Sequence, residues 1–124
     1  MAKVTGVGGV FFKCADPKAL TAWYRDNLGF NVEDWGGVQF EKSEASPSVF
    51  VWTPFRQDTD NFAPSSREFM FNFVVDDLDG MIAEFAAKGI AILKREDGDT
   101  FGRFAWLLDP AGIKIELWEP KPEG

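Results

Sequence analysis

The chain states one pattern twice, and that repetition limits the folds open to it more than any other feature. Residues 7–14 form a short apolar run rich in Val and Phe that ends at Asp16-Pro17, a helix-capping residue followed by the proline that suits a first helical position. Leu20, Trp23, Tyr24 and Leu28 then follow helical spacing until Gly29, the residue type that readily takes the left-handed turn closing a helix. The same order returns at residues 69–75, at the cap Asp77, at Leu78, Met81, Ile82 and Phe85, and at the stop Gly89. Three strands are expected after each helix: 30–33, 38–41 and 49–52 in the first half, and 90–94, 103–108 and 113–118 in the second. Val49-Phe50-Val51-Trp52-Thr53-Pro54 aligns with Ile115-Glu116-Leu117-Trp118-Glu119-Pro120 when Trp52 is set on Trp118. A period of about 60 residues is too long for a solenoid unit, so two copies predict a pseudo-symmetric pair. The expectation is a single α+β domain: a βαβββ module over about 4–54, a polar linker over about 55–68 and a second module over about 69–120.

Composition narrows the chemistry. With 124 residues, one core that removes about two-thirds of the extended-chain surface is within reach. Hydrophobic residues at 45% and charged residues at 27% fit a soluble globular protein, and no run approaches the ~20 apolar residues of a membrane span. The N-terminal residues show no secretory pattern, and the lone Cys14 cannot close an internal disulfide, so a cytoplasmic setting is expected. Twenty Asp+Glu against 13 Lys+Arg give a net charge of −7, which argues against a nucleic-acid partner. The histidine count is zero, which removes Ser-His-Asp and Cys-His catalysis and imidazole metal sites from this chain alone. Thirteen Phe and five Trp are generous for the length and point to aromatic recognition.

The stretch from Asp16-Pro17 through Trp23-Tyr24-Arg25-Asp26-Asn27-Leu28-Gly29-Phe30, and Asp109-Pro110-Ala111-Gly112-Ile113-Lys114-Ile115-Glu116-Leu117-Trp118, set in order around the repeat, resemble the vicinal oxygen chelate superfamily. That superfamily includes glyoxalase I, the bleomycin-resistance proteins and the extradiol dioxygenases. The resemblance covers about residues 4–120. It implies two βαβββ modules whose curved mixed sheets form a cup, usually with a metal held inside by four residues. Those positions fall here on Gly9, Phe50, Met70 and Glu116, and only Glu116 is a hard ligand. No cofactor is therefore expected, with a divalent metal as the alternative. Sheets of this superfamily often complete their cups across a two-fold axis, so the resemblance also implies a homodimer.

Strand alternation around Glu116 divides the side chains between two faces. Val10, Phe12, Cys14, Val49, Val51, Phe71, Phe73, Val75, Ile113, Ile115 and Leu117 are expected beneath the helices. Phe11, Lys13, Ser48, Phe50, Trp52, Met70, Asn72, Lys114, Glu116 and Trp118 are expected inside the cup, a mixture of rings and a few polar groups that suits a small-molecule site. Each has a plainer reading: the rings could fill the cup as a second core, Lys114 and Glu116 could be an ion pair, Asn72 a structural amide and Cys14 an inert buried thiol. Asp16 and Asp77 are read as helix caps. The faces of Trp35, Gln39, Glu41, Arg103 and Trp106 are left open.

Two functions are expected from different classes. In the first, Phe11, Phe50, Trp52, Met70, Asn72, Lys114 and Trp118 bind a small organic molecule in a metal-free aromatic cup, and Glu116 pairs with a cationic or hydrogen-bond-donating group. In the second, Glu116 is a general base or lone metal ligand of a lyase, isomerase or dioxygenase. A filled cup with no ligand, leaving an interaction or structural role, is the third possibility.

Overall fold

The computed structural model describes residues 2–42 and 49–121. Seven strands and two helices follow in the order β1 (Val4–Cys14), α1 (Pro17–Leu28), β2 (Val38–Phe40), β3 (Phe50–Arg56), β4 (Phe69–Val75), α2 (Leu78–Lys88), β5 (Lys94–Asp99), β6 (Gly102–Leu108) and β7 (Lys114–Pro120). They form one mixed sheet of strand order β2-β3-β1-β4-β7-β6-β5. The antiparallel pair β1–β4 lies at its centre, and each of these strands has a parallel neighbour on its other side, β3 and β7 respectively. The α+β architecture is thus present as an open sheet. No helix among the described residues is long and apolar enough to cross a membrane.

The local signals act as their chemistry requires. Asp16 accepts from the Ala19 amide at 3.1 Å and Asp77 from the Gly80 amide at 3.0 Å, so each satisfies a free donor of a helix's first turn. Gly29 and Gly89 close the helices at φ 71° and 74°, in the left-handed region where a Cβ is strained.

Two expected strands are corrected here. Residues 30–33 are not a strand: at their two ends the amides turn to local partners, Phe30 N donating to Tyr24 O and Glu33 N to Gly37 O. The strand expected at 90–94 begins instead at Lys94 and runs into the charged stretch up to Asp99. Charge did not prevent it, because Arg95 and Arg103 on adjoining strands bind Asp79 and Asp97 in one network on the helix side, with Glu119 joining through Arg103. The stretch between β3 and β4 carries Phe62, wholly buried, whose ring lies 5.2 Å from that of Phe55.

Two cores lie between sheet and helices. Under α2, Val75, Leu78, Ala105, Leu107 and Leu117 are buried, with Met81, Ile82 and Phe85 packed on them. Under α1 the packing is aromatic, since Trp52 meets Tyr24 at 4.5 Å, Phe30 at 5.1 Å and Phe12 at 5.5 Å between ring centroids. That contact corrects the face assigned to β3. Trp52 pairs with the buried Val38 and lies on the helix side, and Phe50 pairs with Phe40 on that same side, so neither lines the concave face. Gln39 pairs with Val51, and these two face the hollow. Aligning Trp52 with Trp118 therefore equated residues on opposite faces: β3 is read one residue out of phase by the repeat. Ser48, also expected inside, lies outside the described residues.

Candidate functional site

Glu116 stands at the centre of the concave face because of its neighbours in the sheet. It pairs with Asn72 across β4–β7 and with Trp106 across β6–β7, and paired residues put their side chains on one face. Asn72 Nδ2 donates to Oε1 at 2.6 Å and Trp106 Nε1 donates to Oε2 at 2.9 Å. Each carboxylate oxygen thus holds one neutral donor from a different strand.

Burial pushes the Glu116 carboxyl above its ordinary range, and the hydrogen bonds from Asn72 and Trp106, then the charge of Lys114, pull it back only in part. Lys114 does not form the simple ion pair that its spacing allowed: its Nζ donates to the Asn61 carbonyl at 2.7 Å. Burial lowers the Lys114 ammonium, with a smaller opposing effect from Glu116.

Two hollows flank this carboxylate. The first, of about 440 Å³, is overwhelmingly apolar and lined by Gly8, Phe11, Trp35, Gln39, Val51, Asn72, Phe101, Phe104, Glu116 and Trp118. The Phe104 ring is nearly parallel to Trp118, with 2° between planes and 6.1 Å between centroids, and continues to Trp106 at 5.9 Å, so a ladder of rings climbs the β6–β7 wall. The second hollow, of about 420 Å³, is more polar; Met70, Lys94, Trp106 and Lys114 line it together with Glu116.

Gly8 keeps the first hollow open. A Cβ there would overlap Asn72 Oδ1 and stand 3.0 Å from both Trp118 Cε3 and Val74 Cγ2. The pairing register shifts between Val7 and Gly9, and this irregularity brings Gly8 over Asn72 in the place where the resemblance pointed to Gly9. Asn72 is 3% exposed, and its Oδ1 has no hydrogen-bond partner among the described residues.

Of the residues expected inside, Phe11, Asn72, Glu116 and Trp118 line the first hollow and Met70, Lys114 and Glu116 the second. Lys13 lies on the Phe62 ring, 5.8 Å from its centroid. Trp35, Gln39, Phe101 and Phe104 belong to the first hollow without having been named for it. Phe104 and Trp106 had left a trace: they alternate with Ala105 and Leu107, and the buried pair on the helix side fixes the rings on the other. Cys14 is half-buried, and burial raises its thiol, as suits an inert side chain.

The two hollows hold few hard metal-binding donors. Glu116 is the one carboxylate lining either hollow, and each of its oxygens accepts from an N–H donor; the other side-chain oxygens there are the amides of Gln39 and Asn72 in the first hollow and Asn61 in the second. Among the described residues no group of three or more His, Cys, Asp or Glu could hold an ion.

A central acid on a mixed sheet built from two similar halves sets the frame, and comparison with known proteins gives the class. Residues 9–118 match the glyoxalase-like domain, and the chain belongs to that family and to the vicinal oxygen chelate superfamily. Methylmalonyl-CoA epimerase from Mycobacterium tuberculosis is similar at 24% identity over 96% of this chain and 90% of that one, with a TM-score of 0.65. The Streptomyces coelicolor methylmalonyl-CoA epimerase is similar at 17% identity over 97% and 100%, with a TM-score of 0.69. The 2,3-dioxygenase LapB from Pseudomonas sp. KL28 is similar at 23% identity over 96% of this chain and 42% of its own, with a TM-score of 0.64. At these identities the likeness shows the fold alone. No curated protein sequence matches.

Proposed function

We propose that this protein binds a small, flat organic molecule in the first hollow without a metal. The observation that carries the reading is the Glu116 carboxylate held by two neutral donors at the foot of a ladder of parallel rings. Trp118, Phe104 and Phe11 supply faces and edges for stacking, and Glu116 accepts from a donor group on the ligand. Phe50 and Trp52 leave this reading, since both lie on the helix side of the sheet, Trp52 against Tyr24 and Phe50 against Phe40. Titration with planar aromatic alcohols and amines, followed by tryptophan fluorescence, tests it: saturable binding lost in Trp118→Ala and weakened in Glu116→Gln is expected, and a response unchanged in both variants contradicts it.

A second reading is favoured by the same carboxylate. A buried acid with its pKa raised is suited to removing a proton from carbon next to a carbonyl, and two of the similar folds are epimerases. Exchange of ligand C–H for deuterium in heavy water, abolished in Glu116→Gln, distinguishes catalysis from binding alone. We also propose a homodimer. Trp23 and Leu28 on α1 are more than half exposed, and an apolar surface of this kind gains from being covered; a monomer by light scattering at micromolar concentration contradicts it.

A further inference from the structure

The second hollow has a different character from the first, and the difference is one of charge. Lys94 and Lys114 both face it, on a chain whose net charge is −7. Lys114 is anchored by the Asn61 carbonyl at 2.7 Å, and Lys94 lies over the Trp106 ring, 5.7 Å from its centroid. Among the described residues no carboxylate forms an ion pair with either ammonium. The arginines of the sheet do the opposite, since Arg95 and Arg103 are taken up by Asp79, Asp97 and Glu119 on the other face. Glu116, the nearest acid in the hollow, has both oxygens committed to Asn72 and Trp106.

Lys94 and Lys114 repel each other across the hollow, with Glu116 acting on Lys114 in the opposite sense, and an anion placed between the two ammoniums relieves that repulsion. We propose that the second hollow is an oxyanion site, and that the ligand of this protein carries a carboxylate or phosphate in addition to the flat body received by the first hollow. Resting on the reading above, this places the acid group against Lys94 and Lys114 and the rings against Trp118 and Phe104, with Glu116 as the wall between. Asn61 and Met70 complete the hollow without adding charge. The linker that supplies Asn61 is held beneath by the buried Phe62, so the carbonyl that positions Lys114 is itself fixed.

Isothermal titration with inorganic phosphate, and with the matched pair 2-naphthylacetate and 2-(2-naphthyl)ethanol, tests this. The acid is expected to bind about tenfold tighter than the alcohol, as one charge-assisted hydrogen bond implies, and phosphate to compete with it. Lys94→Gln and Lys114→Gln, made separately, should each weaken the acid and phosphate about tenfold and leave the alcohol within about twofold. Lys94 is exposed, so its variant keeps the test open should Lys114→Gln fail to fold. Acid and alcohol binding equally, with no effect of either substitution, overturns the oxyanion site and leaves the first hollow's role standing. Phosphate binding that both lysine variants lose, with neither naphthyl compound bound, supports the oxyanion site and overturns the flat-ligand reading. Phosphate binding that survives both substitutions is surface adsorption and overturns the site.

Discussion

Asn72 and Glu116 sit side by side on β4 and β7 and are joined by a 2.6 Å hydrogen bond from Nδ2 to Oε1. The bond orients an acid that has little else to hold it, since the other contact is the Trp106 indole at 2.9 Å. Its cost is visible on the amide, whose Oδ1 is buried against Gly8 without a hydrogen-bond partner among the described residues. Removing Asn72 should therefore act on the acid and not merely on packing. Asn72→Leu is expected to raise the Glu116 pKa further, because the larger of the two stabilising hydrogen bonds is lost. Carboxyl titration by NMR in the two proteins checks it, and an unchanged midpoint contradicts it.

The raised pKa of Glu116 fixes the sign of a pH effect. Its folded value lies above the unfolded one, so between the two the folded protein holds the extra proton and stability falls as pH rises. Below that window both states hold the proton and the titration contributes nothing; above it the cost of burying the charge is fully present. Glu116→Gln removes the titration. The stability of the variant relative to wild type should thus climb as pH is raised through the window and then level off. Urea unfolding of both proteins from about pH 4 to pH 8 measures this, and a constant difference contradicts it.

Asp79 behaves in the opposite sense. The side chains of Arg103 and Arg95 hold its carboxyl down to about 2. A depressed acid stabilises the fold above its unfolded value and loses that contribution as pH falls toward the folded one. The gap in stability between wild type and Asp79→Asn should therefore be small and constant at neutral pH, and close as pH approaches about 2. Acid unfolding curves that stay separated to the lowest pH contradict it.

Gly8 offers a steric test of the hollow. Gly8→Ala drives a methyl into Asn72 Oδ1 and against Trp118, so a destabilisation of about 1–3 kcal/mol with an altered near-ultraviolet tryptophan spectrum is expected. Gly29→Ala is the control: its φ of 71° strains a Cβ, but nothing lies within 4 Å. It should cost about 1–2 kcal/mol and leave the Trp118 signal unchanged.

The two aligned tryptophans should separate cleanly. Trp52→Ala removes a ring that is 8% exposed and packed on three aromatics, and is expected to cost about 3–5 kcal/mol of stability. Trp118→Ala should cost less and abolish binding. Equal effects of both on stability would contradict the assignment of faces.

How far the sequence carried this account depended on the range of the signal. Caps and stops are local, so Asp16, Gly29, Asp77 and Gly89 were legible, and with them the two helices and the superfamily. Glu116, Asn72 and Trp118 came to one face because alternation is reliable within a single strand. Phase between strands is not local. On β3 both alternating sets are apolar, Phe50 and Trp52 against Val51 and Phe55, so periodicity could not tell the helix side from the hollow. Setting Trp52 on Trp118 puts the wrong one of these two sets in the hollow. Phe62 was hidden for a related reason: a single ring amid Asp60, Asn61 and Pro64 has no period, and only tertiary packing reveals that it is core.

Metal independence is the central claim, because the hollow offers rings, an amide and one committed carboxylate in place of a ligand set. The most direct measurement is the dissociation constant of a planar aromatic ligand by isothermal titration, first in excess chelator and then with magnesium, manganese or cobalt in stoichiometric supply. The account predicts the same constant in every buffer. Binding that appears only when a divalent ion is added, and that Glu116→Gln abolishes, would contradict it.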